Sequence, residues 1–249
     1  MNKVAKIMAP VLWMLILISA CNDSDTTVTA YDEILNRPPY ADLTDSIKQE
    51  PGKAEFYFRR AILLNTNSLP EPALADFQKA WSLKKEEQYA LGVATLLLDK
   101  KPEEAITFLN TAIKDIPNSL LLQLSLARGY DAANKTEEAL KIGDMILEKN
   151  PEQVDVLKMK ADLLAKKGNT NEATAILEKA YTLTPFDVEL NYILALKYAE
   201  AKNSRVLALC DSLIRADSSG VHAEPYYYKG IYYSNINDKT KALSLFDEA

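Results

Sequence analysis

The chain has 249 residues, of which 48% are hydrophobic and 26% charged, and its formal net charge is −6 at pH 7. This length allows one sizeable domain or an array of small units, and the scarcity of glycine and proline favours helix. The acidic balance argues against a nucleic-acid partner, because a protein that binds a phosphate backbone needs clustered positive charge.

The first twenty residues have the pattern of an export signal. Met1–Lys6 is short and basic, and the apolar run Ile7–Ile18 is interrupted only by Pro10. This run is shorter than the roughly 20 residues that a transmembrane helix needs, and it matches the apolar region of a signal peptide. It leads into residues 18–21, Ile-Ser-Ala-Cys. That ending resembles the lipobox of bacterial lipoproteins, in which the cysteine is lipidated and becomes the new N-terminus.

The resemblance implies a signal peptide at 1–20 and a lipid anchor on Cys21. It places the protein in the envelope of a Gram-negative bacterium, at the outer membrane, with the periplasmic and surface faces both left open. An ordinary secretory signal or an uncleaved anchor is the alternative. The polar residues after Cys21 predict a flexible tether over 21–37. Residues 38–53 then predict a capping helix whose Leu43 and Ile47 cover the end of the following array.

A helical pattern repeats along the rest of the chain. In Val154–Pro185, Gly168-Asn169 separates two segments whose apolar and small residues recur at helical spacing. The small residue of the second segment recurs at intervals of 32 to 35 residues, at Ala73, Ala105, Ala139, Ala173, Leu207 and Ala242. A small residue of the first segment recurs in step, at Ala61, Gly92, Ala127, Ala161, Ala195 and Gly230.

This pattern resembles the tetratricopeptide repeat, a 34-residue unit of two helices in which small residues mark the helix crossings at positions 8 and 20. The resemblance predicts an all-α fold, a right-handed α-solenoid of stacked antiparallel helix pairs, because one pair cannot bury its apolar face alone. The predicted units are 54–85, 86–119, 120–153, 154–187 and 188–222, followed by an incomplete unit at 223–249.

Three departures from the repeat pattern lead to specific structural expectations. The second unit is given one extra residue in its turn, so that Gly92 falls at position 8. Gly143, at position 24, is expected to thin the third interface, and Leu207, at position 20, to push apart the helices of the fifth unit. Ala249 falls within a predicted helix whose apolar face points onward. We interpret this as a fragment of a longer array, with coverage by a partner as the alternative.

The sequence offers no candidate for catalysis. His222 is the only histidine, and no spaced cysteine or histidine accompanies it as a metal site requires. Cys210 fits a small buried apolar residue, and it has no internal disulfide partner if Cys21 is modified. The carboxylates follow helix faces. We therefore predict a protein that is not an enzyme and that has no cofactor and no metal.

In tetratricopeptide arrays the first helix of each pair lines an inner groove, and positions 2, 5 and 9 usually face it. The resemblance therefore implies the following groove residues: Phe58, Tyr89, Leu124, Arg128, Lys158, Asp162, Glu189, Tyr192, Glu224 and Tyr227. An acidic column beside an aromatic one favours a partner segment with apolar anchors and basic flanks. Acidic residues are favoured early in any helix, so a plain solvated face is the alternative.

The sequence thus predicts a membrane-anchored scaffold that binds a peptide or protein segment and no nucleic acid. A subunit or assembly factor of an outer-membrane machine, for β-barrel assembly, pili or secretion, is one alternative. A glycan-binding module is another, suggested by the tyrosines at 226–228 and 232–233. The sequence leaves open the partner's identity, the oligomeric state and the true C-terminus.

Overall fold

In the computed structural model, residues 31–216 and 222–249 are described, and they form fourteen α-helices and no strand. The predicted leader, Cys21 and the first part of the predicted tether lie outside the described residues. Within the described ranges, none of the helices has the length and apolar character needed to cross a bilayer.

The helices follow one another with short connections. Their bounds are α1 Asp32–Leu35, α2 Ala41–Gln49, α3 Ala54–Thr66, α4 Pro70–Leu83, α5 Glu87–Lys100, α6 Pro102–Asp115, α7 Leu120–Ala132, α8 Thr136–Lys149, α9 Val154–Lys166, α10 Thr170–Leu183, α11 Val188–Glu200, α12 Arg205–Ala216, α13 Glu224–Asn235 and α14 Lys239–Glu248. From α3 onward, consecutive helices pack as pairs, and each pair packs on the next. The predicted all-α solenoid is confirmed.

Small residues occupy the helix crossings in most pairs. Ala61 and Ala73 are fully buried between α3 and α4, and Ala161 and Ala173 are buried in the same way between α9 and α10. An alanine at a crossing lets the two helix backbones approach closely, so that larger residues on either side interdigitate. This arrangement explains why the small residues recur along the sequence.

The second pair, α5 and α6, departs from the predicted register. In α3 the buried residues that share one face are Tyr57, Ala61 and Leu64. In α5 the residues with the same spacing and burial are Ala90, Ala94 and Leu97. Position 8 of the second unit is therefore occupied by Ala94 rather than by Gly92, and the sequence prediction was wrong by two residues.

The turn of the second pair is shorter than its neighbours, not longer as predicted. Ala105 lies eight positions after Leu97, whereas Ala73 lies nine positions after Leu64 across the first turn. Only Lys101 lies between α5 and α6, and it does not take the left-handed conformation seen in the other turns at Ser68, Asn134, Gly168, Lys202 and Asn237.

The fifth pair, α11 and α12, also departs from the predicted register, although its connection, residues 201–204, is not shortened. The buried face of α12 begins at Val206, eight positions after Tyr198, and Val206 is fully buried where the other units bury alanine. Cys210 and Leu213 complete the buried face, and Leu207 is only partly buried. The expectation that Leu207 would sit at the crossing and push the helices apart was wrong, because α12 is rotated by one residue relative to the predicted register.

Gly143 does not thin the third interface as expected. A Cβ placed on Gly143 would lie 3.3 Å from Met159 Cε and 3.8 Å from Val156 Cγ1. The flexible Met159 side chain of α9 therefore fills the space that the missing side chain leaves in α8.

The N-terminal helices are attached to the array by buried polar groups. Arg60 Nε and Nη2 donate to the two carboxylate oxygens of Asp76, at 2.6 and 2.8 Å, and Arg60 Nη1 donates to Thr44 Oγ1 at 2.9 Å. The Thr44 hydroxyl in turn donates to the carbonyl oxygen of Leu35 at 2.7 Å. Burial raises the pKa of the Asp76 carboxyl, although its bonds with Arg60 oppose that shift. We call Arg60, Asp76, Thr44 and Leu35 the N-terminal network.

Tyr40 and Ile47 bring α2 onto α3, and both are buried. Leu43 is half-buried. The last residues that the sequence assigns to the tether form α1, and Leu35 packs beside the core residues Leu64 and Ala73.

Candidate functional site

A groove crosses the first helices of the third to sixth pairs, α7, α9, α11 and α13. It consists of two adjoining pockets of about 340 and 430 Å³, which share Lys158, Asp162 and Glu189. We call these two pockets together the central groove. Five residues that the sequence assigns to the groove line it: Arg128, Lys158, Asp162, Glu189 and Tyr192.

The two pockets differ in chemistry. The smaller one, over α7 and α9, is mostly charged and includes Arg128, Asp131 and Asp155. The larger one, over α9, α11 and α13, is mostly apolar, with Leu177 at its base and the rings of Tyr192 and Tyr228 at 6.3 Å between centroids. The central groove therefore offers a charged end and an aromatic end.

Lys158 stands where the two pockets meet. Its side chain is only 16% exposed, its ammonium pairs with the Glu189 carboxylate, and its Nζ lies 3.9 Å from Asp187 Oδ2. Burial opposes the charged form, but the Glu189 hydrogen bond and the charges of Asp187 and Asp155 outweigh it and raise the pKa of Lys158. The ammonium is therefore charged at neutral pH and ties α9 to α11.

The groove's carboxylates are largely neutralised by lysines of this chain. Lys166 Nζ lies 2.7 Å from Asp131 Oδ2 and 2.8 Å from Asp162 Oδ2, and the hydrogen bonds with both carboxylates raise the pKa of Lys166. Arg128 is exposed and has no salt bridge within the described part of the chain. The basic flanks expected of a partner thus meet carboxylates that already have lysine partners, whereas Arg128 offers a free cation.

Tyr89 is not a groove residue. Its side chain is 2% exposed, its ring lies 4.9 Å from that of Phe58, and its hydroxyl lies 3.4 Å from Glu55 Oε2. The shifted register of the second pair is the reason, because it places Leu91, three residues before Ala94, at position 5. Burial also raises the pKa of the Tyr89 phenol.

Leu124 is also unavailable to a partner. It is 6% exposed and forms a small core cluster with Ile146 and Val156. Phe58 is half-buried, and its ring packs 5.8 Å from that of Phe77. The predicted groove residues of the first three units therefore contribute mainly to packing, with Arg128 as the exception.

Glu224 and Tyr227 lie beyond the central groove, at the end of the described chain. Tyr227 is 50% exposed, with its ring 5.6 Å from that of Phe246, and a Glu224 carboxylate oxygen lies 3.9 Å from His222 Nδ1. The sequence did not single out Tyr228 as a groove residue, yet its ring lines the larger pocket. The run of three tyrosines in the sequence pointed to this region, but it did not show which of the three rings faces the groove.

Cys210 and the carboxylates show no catalytic arrangement in the described ranges. Burial raises the pKa of the Cys210 thiol to about 12, which keeps it protonated at neutral pH. Across those ranges no group of three histidine, cysteine, aspartate or glutamate side chains could hold a metal ion. That the protein is not an enzyme stays a prediction.

Two family models, both described as tetratricopeptide repeat, match residues 96–163 and 155–187. This part of the chain therefore consists of tetratricopeptide repeats. A search of curated proteins finds no match to the chain.

Several solved structures share the fold. A tetratricopeptide repeat protein of Parabacteroides merdae is 21% identical with a TM-score of 0.62, over 84% of each chain. YrrB, described as a TPR protein with an unusual peptide-binding site, is 21% identical with a TM-score of 0.51, over 75% of this chain and 97% of its own. A thermophilic TPR protein of Thermus thermophilus is 18% identical with a TM-score of 0.54, over 74% of this chain and 99% of its own.

Proposed function

We propose that this protein is a non-catalytic scaffold that binds a peptide or protein segment in the central groove. The observation that carries the proposal is the convergence of Arg128, Lys158, Asp162, Glu189 and Tyr192 on two adjoining pockets. Repeat arrays offer extended surfaces of this kind for binding. The peptide-binding site named for YrrB supports the same class of function by analogy of fold.

The chemistry of the groove suggests how the segment lies. An apolar side chain of the partner enters the larger pocket beside Tyr192 and Leu196, where aromatic walls supply a large contact area at low entropic cost. The adjacent part of the segment crosses Lys158 and reaches Arg128. Because Arg128 is the cation left without a salt bridge in the described groove, an acidic residue suits this end better than the basic flank expected from the sequence.

We further propose that the array is held at the cell envelope by a lipid on Cys21, at the outer membrane. The support is the resemblance of residues 18–21 to a lipobox and the polar segment that follows them. Several acyl chains hold a protein at a membrane durably, whereas one chain holds it only marginally. A role in an outer-membrane assembly machine is compatible with this anchoring.

The tyrosines near the end of the described chain do not favour glycan binding. A sugar stacks on an exposed aromatic face, and of the tyrosines at 226–228 and 232–233 only Tyr227 is exposed, the others being partly buried. The ring of Tyr227 is itself tilted against Phe246, at 48°.

The groove is tested by photo-cross-linking in cells that express the full chain. A photo-reactive amino acid is placed at Leu196 in the larger pocket or, as a matched control, at the exposed Lys141 on α8. We expect a defined protein adduct from position 196 that is absent from position 141 and that is lost when Arg128→Glu is added. The same adducts from both positions, or none from position 196, would contradict the groove as the binding site.

The anchor needs a separate measurement. Mass spectrometry of the N-terminal peptide of the mature protein is expected to find a diacylated or triacylated Cys21, and Cys21→Ala is expected to release the protein from membranes. A mature product that keeps an unmodified leader would reject the anchor while leaving the groove untouched.

A further inference from the structure

A second cleft lies between α10 and α12, above α11, and it shares no lining residue with the central groove. Its volume is about 410 Å³. The apolar walls come from Tyr181, Leu194, Tyr198 and Leu209, and Glu178 and Arg205 line it as well. We call it the outer cleft.

The outer cleft exists because small residues of α12 face α10. With Val206 at the helix crossing, Ala208 and Ser212 are the α12 residues turned toward Tyr181 and Thr182. Ala208 is exposed although it borders the apolar floor formed by Leu194 and Leu209. The shifted register of α12 thus leaves open a space that a larger side chain could fill.

The polar groups of the outer cleft have spare bonding capacity. Glu178 Oε1 accepts from the Tyr198 hydroxyl and from Arg205 Nη1, each at 2.7 Å. Burial, aided by this bond to Glu178, raises the pKa of the Tyr198 phenol, so the hydroxyl stays a donor. The Arg205 guanidinium also interacts with the Tyr198 hydroxyl, and the Arg205 side chain is 67% exposed. A guanidinium carries five N–H donors, so its exposed edge matches a carboxylate.

We propose that the outer cleft is a second binding site, for a protein segment that presents an apolar side chain close to a carboxylate. The apolar side chain lies between Tyr181 and Tyr198, over Leu209, and the carboxylate bonds to Arg205. A protein segment fits better than a free small molecule, because the lining residues Thr182, Arg205 and Ala208 are exposed to solvent, whereas small-molecule sites bury most of the ligand. Glu178 fixes the guanidinium in place and so orients its exposed edge.

The probe is a library of short random peptides displayed on phage and selected on the full chain. We expect the enriched peptides to carry an aliphatic or aromatic residue within two positions of Asp or Glu. Their synthetic versions are then titrated against two variants of the cleft. Ala208→Met fills the space from an exposed position, and Arg205→Gln removes the charged donors. Each is expected to weaken binding by about tenfold or more, as loss of an apolar contact or of a charged hydrogen bond does.

The matched control is Arg215→Gln, on the same helix. Arg215 is exposed, and its guanidinium bonds to Ser212 of its own helix, so its loss is expected to leave peptide binding unchanged. Circular dichroism of every variant checks that the helices are intact. Tyr192→Ala, in the central groove, is also expected to leave this binding unchanged, which separates the two sites.

Three results would overturn the proposal. One is that no peptide is enriched above background. Another is that the enriched peptides bind the Ala208→Met and Arg205→Gln variants as tightly as the unaltered chain. The third is that their binding is lost only with Tyr192→Ala, which would assign them to the central groove.

Discussion

The first helix pair and the fifth use the same two-helix plan, but the second helix of the fifth pair is shifted by one residue in register. In the first pair, Ala73 lies nine positions after Leu64, the last buried residue of α3, and alanines meet at the crossing. In the fifth pair Val206 lies eight positions after Tyr198 and takes the place of alanine. The first pair is also covered by α2 and the N-terminal network, whereas the fifth pair borders the outer cleft.

The difference shows how much a register shift of one residue decides. Each residue rotates a helix face by about 100°, so such a shift brings a different set of side chains to the crossing. The chain accommodates this at α12 because Val206, Cys210 and Leu213 can form a buried face in the new register. The shifted register also leaves a surface beside α12 that the repeat pattern does not predict.

The largest expected effect is on the first helix pair, which α2 and the N-terminal network cover. Arg60→Met leaves Asp76 as a buried carboxylate with no cation, since the two side chains are 10% and 9% exposed and pair with each other. Breaking a buried pair from one side typically costs about 3–5 kcal/mol. We expect a loss of that order in the free energy of unfolding measured by urea denaturation, with hydrogen exchange in α2 and α3 rising first.

The double variant Arg60→Met, Asp76→Leu is the control, because it removes both charges and is expected to recover most of the loss. The pH dependence gives a second check. Asp76 has a raised pKa in the folded state, and losing Arg60 raises it further, so the folded variant binds this proton more tightly than the unfolded chain. The deficit should therefore shrink as the pH falls through the raised pKa. If the loss in free energy of unfolding is constant with pH, or equal in the single and the double variant, the unpaired Asp76 charge is not its cause.

The next prediction tests the register of α12 in the fifth pair. Val206→Ala removes methyl groups from a fully buried site and is expected to cost about 1.5–3 kcal/mol. Leu207→Ala, one residue along, alters a partly buried side chain and is expected to cost less than half as much, although more carbon is removed. If the two costs are reversed in thermal or urea denaturation, the register predicted from the sequence, with Leu207 at the crossing, is correct for the fifth pair.

The fold could be predicted from the sequence because its signal is distributed over many positions. Ala61, Ala127 and Ala161 all lie buried at crossings as the repeat predicts, and an error at one of them would not have changed the architecture. The register of the second helix in a pair depends on the few residues at the turn, and no local signal in the sequence marks a shift. Lys101-Pro102 and Asn203-Ser204 look like ordinary helix starts.

The candidate site was predictable only where the register was regular. Lys158 and Asp162 belong to the fourth unit, whose turn has the standard length, and both line the central groove. Tyr89 belongs to the second unit, and the misplaced register assigned a core residue to the groove. The sequence could not predict that Lys166 and Lys158 neutralise the groove's carboxylates. Most of these pairs join different helices, and their formation depends on which face of the helix each lysine occupies.

The smallest expected effects come from two glycines that each lie against a phenylalanine ring, Gly92 between the first and second pairs and Gly230 within the sixth pair. A Cβ on Gly92 would lie 2.5 Å from Phe77 Cδ1, and Phe77 is 6% exposed and held against Phe58. A Cβ on Gly230 would meet the ring of Phe246 just as closely, but Phe246 is 37% exposed and can turn toward solvent. Alanine favours helix over glycine by about 1 kcal/mol, and overpacking a core costs about 1–3 kcal/mol.

We therefore expect Gly92→Ala to be destabilising by about 1 kcal/mol, the overpacking cost less the helix gain. Gly230→Ala is expected to be neutral or stabilising, because the ring it displaces has somewhere to go. Urea denaturation measures both, and amide exchange in α5 and α13 shows whether the change is local. Equal destabilisation by the two substitutions would mean that the sixth pair is packed as tightly as the interface between the first and second pairs, and that the Phe246 ring is held in place by contacts with Tyr227.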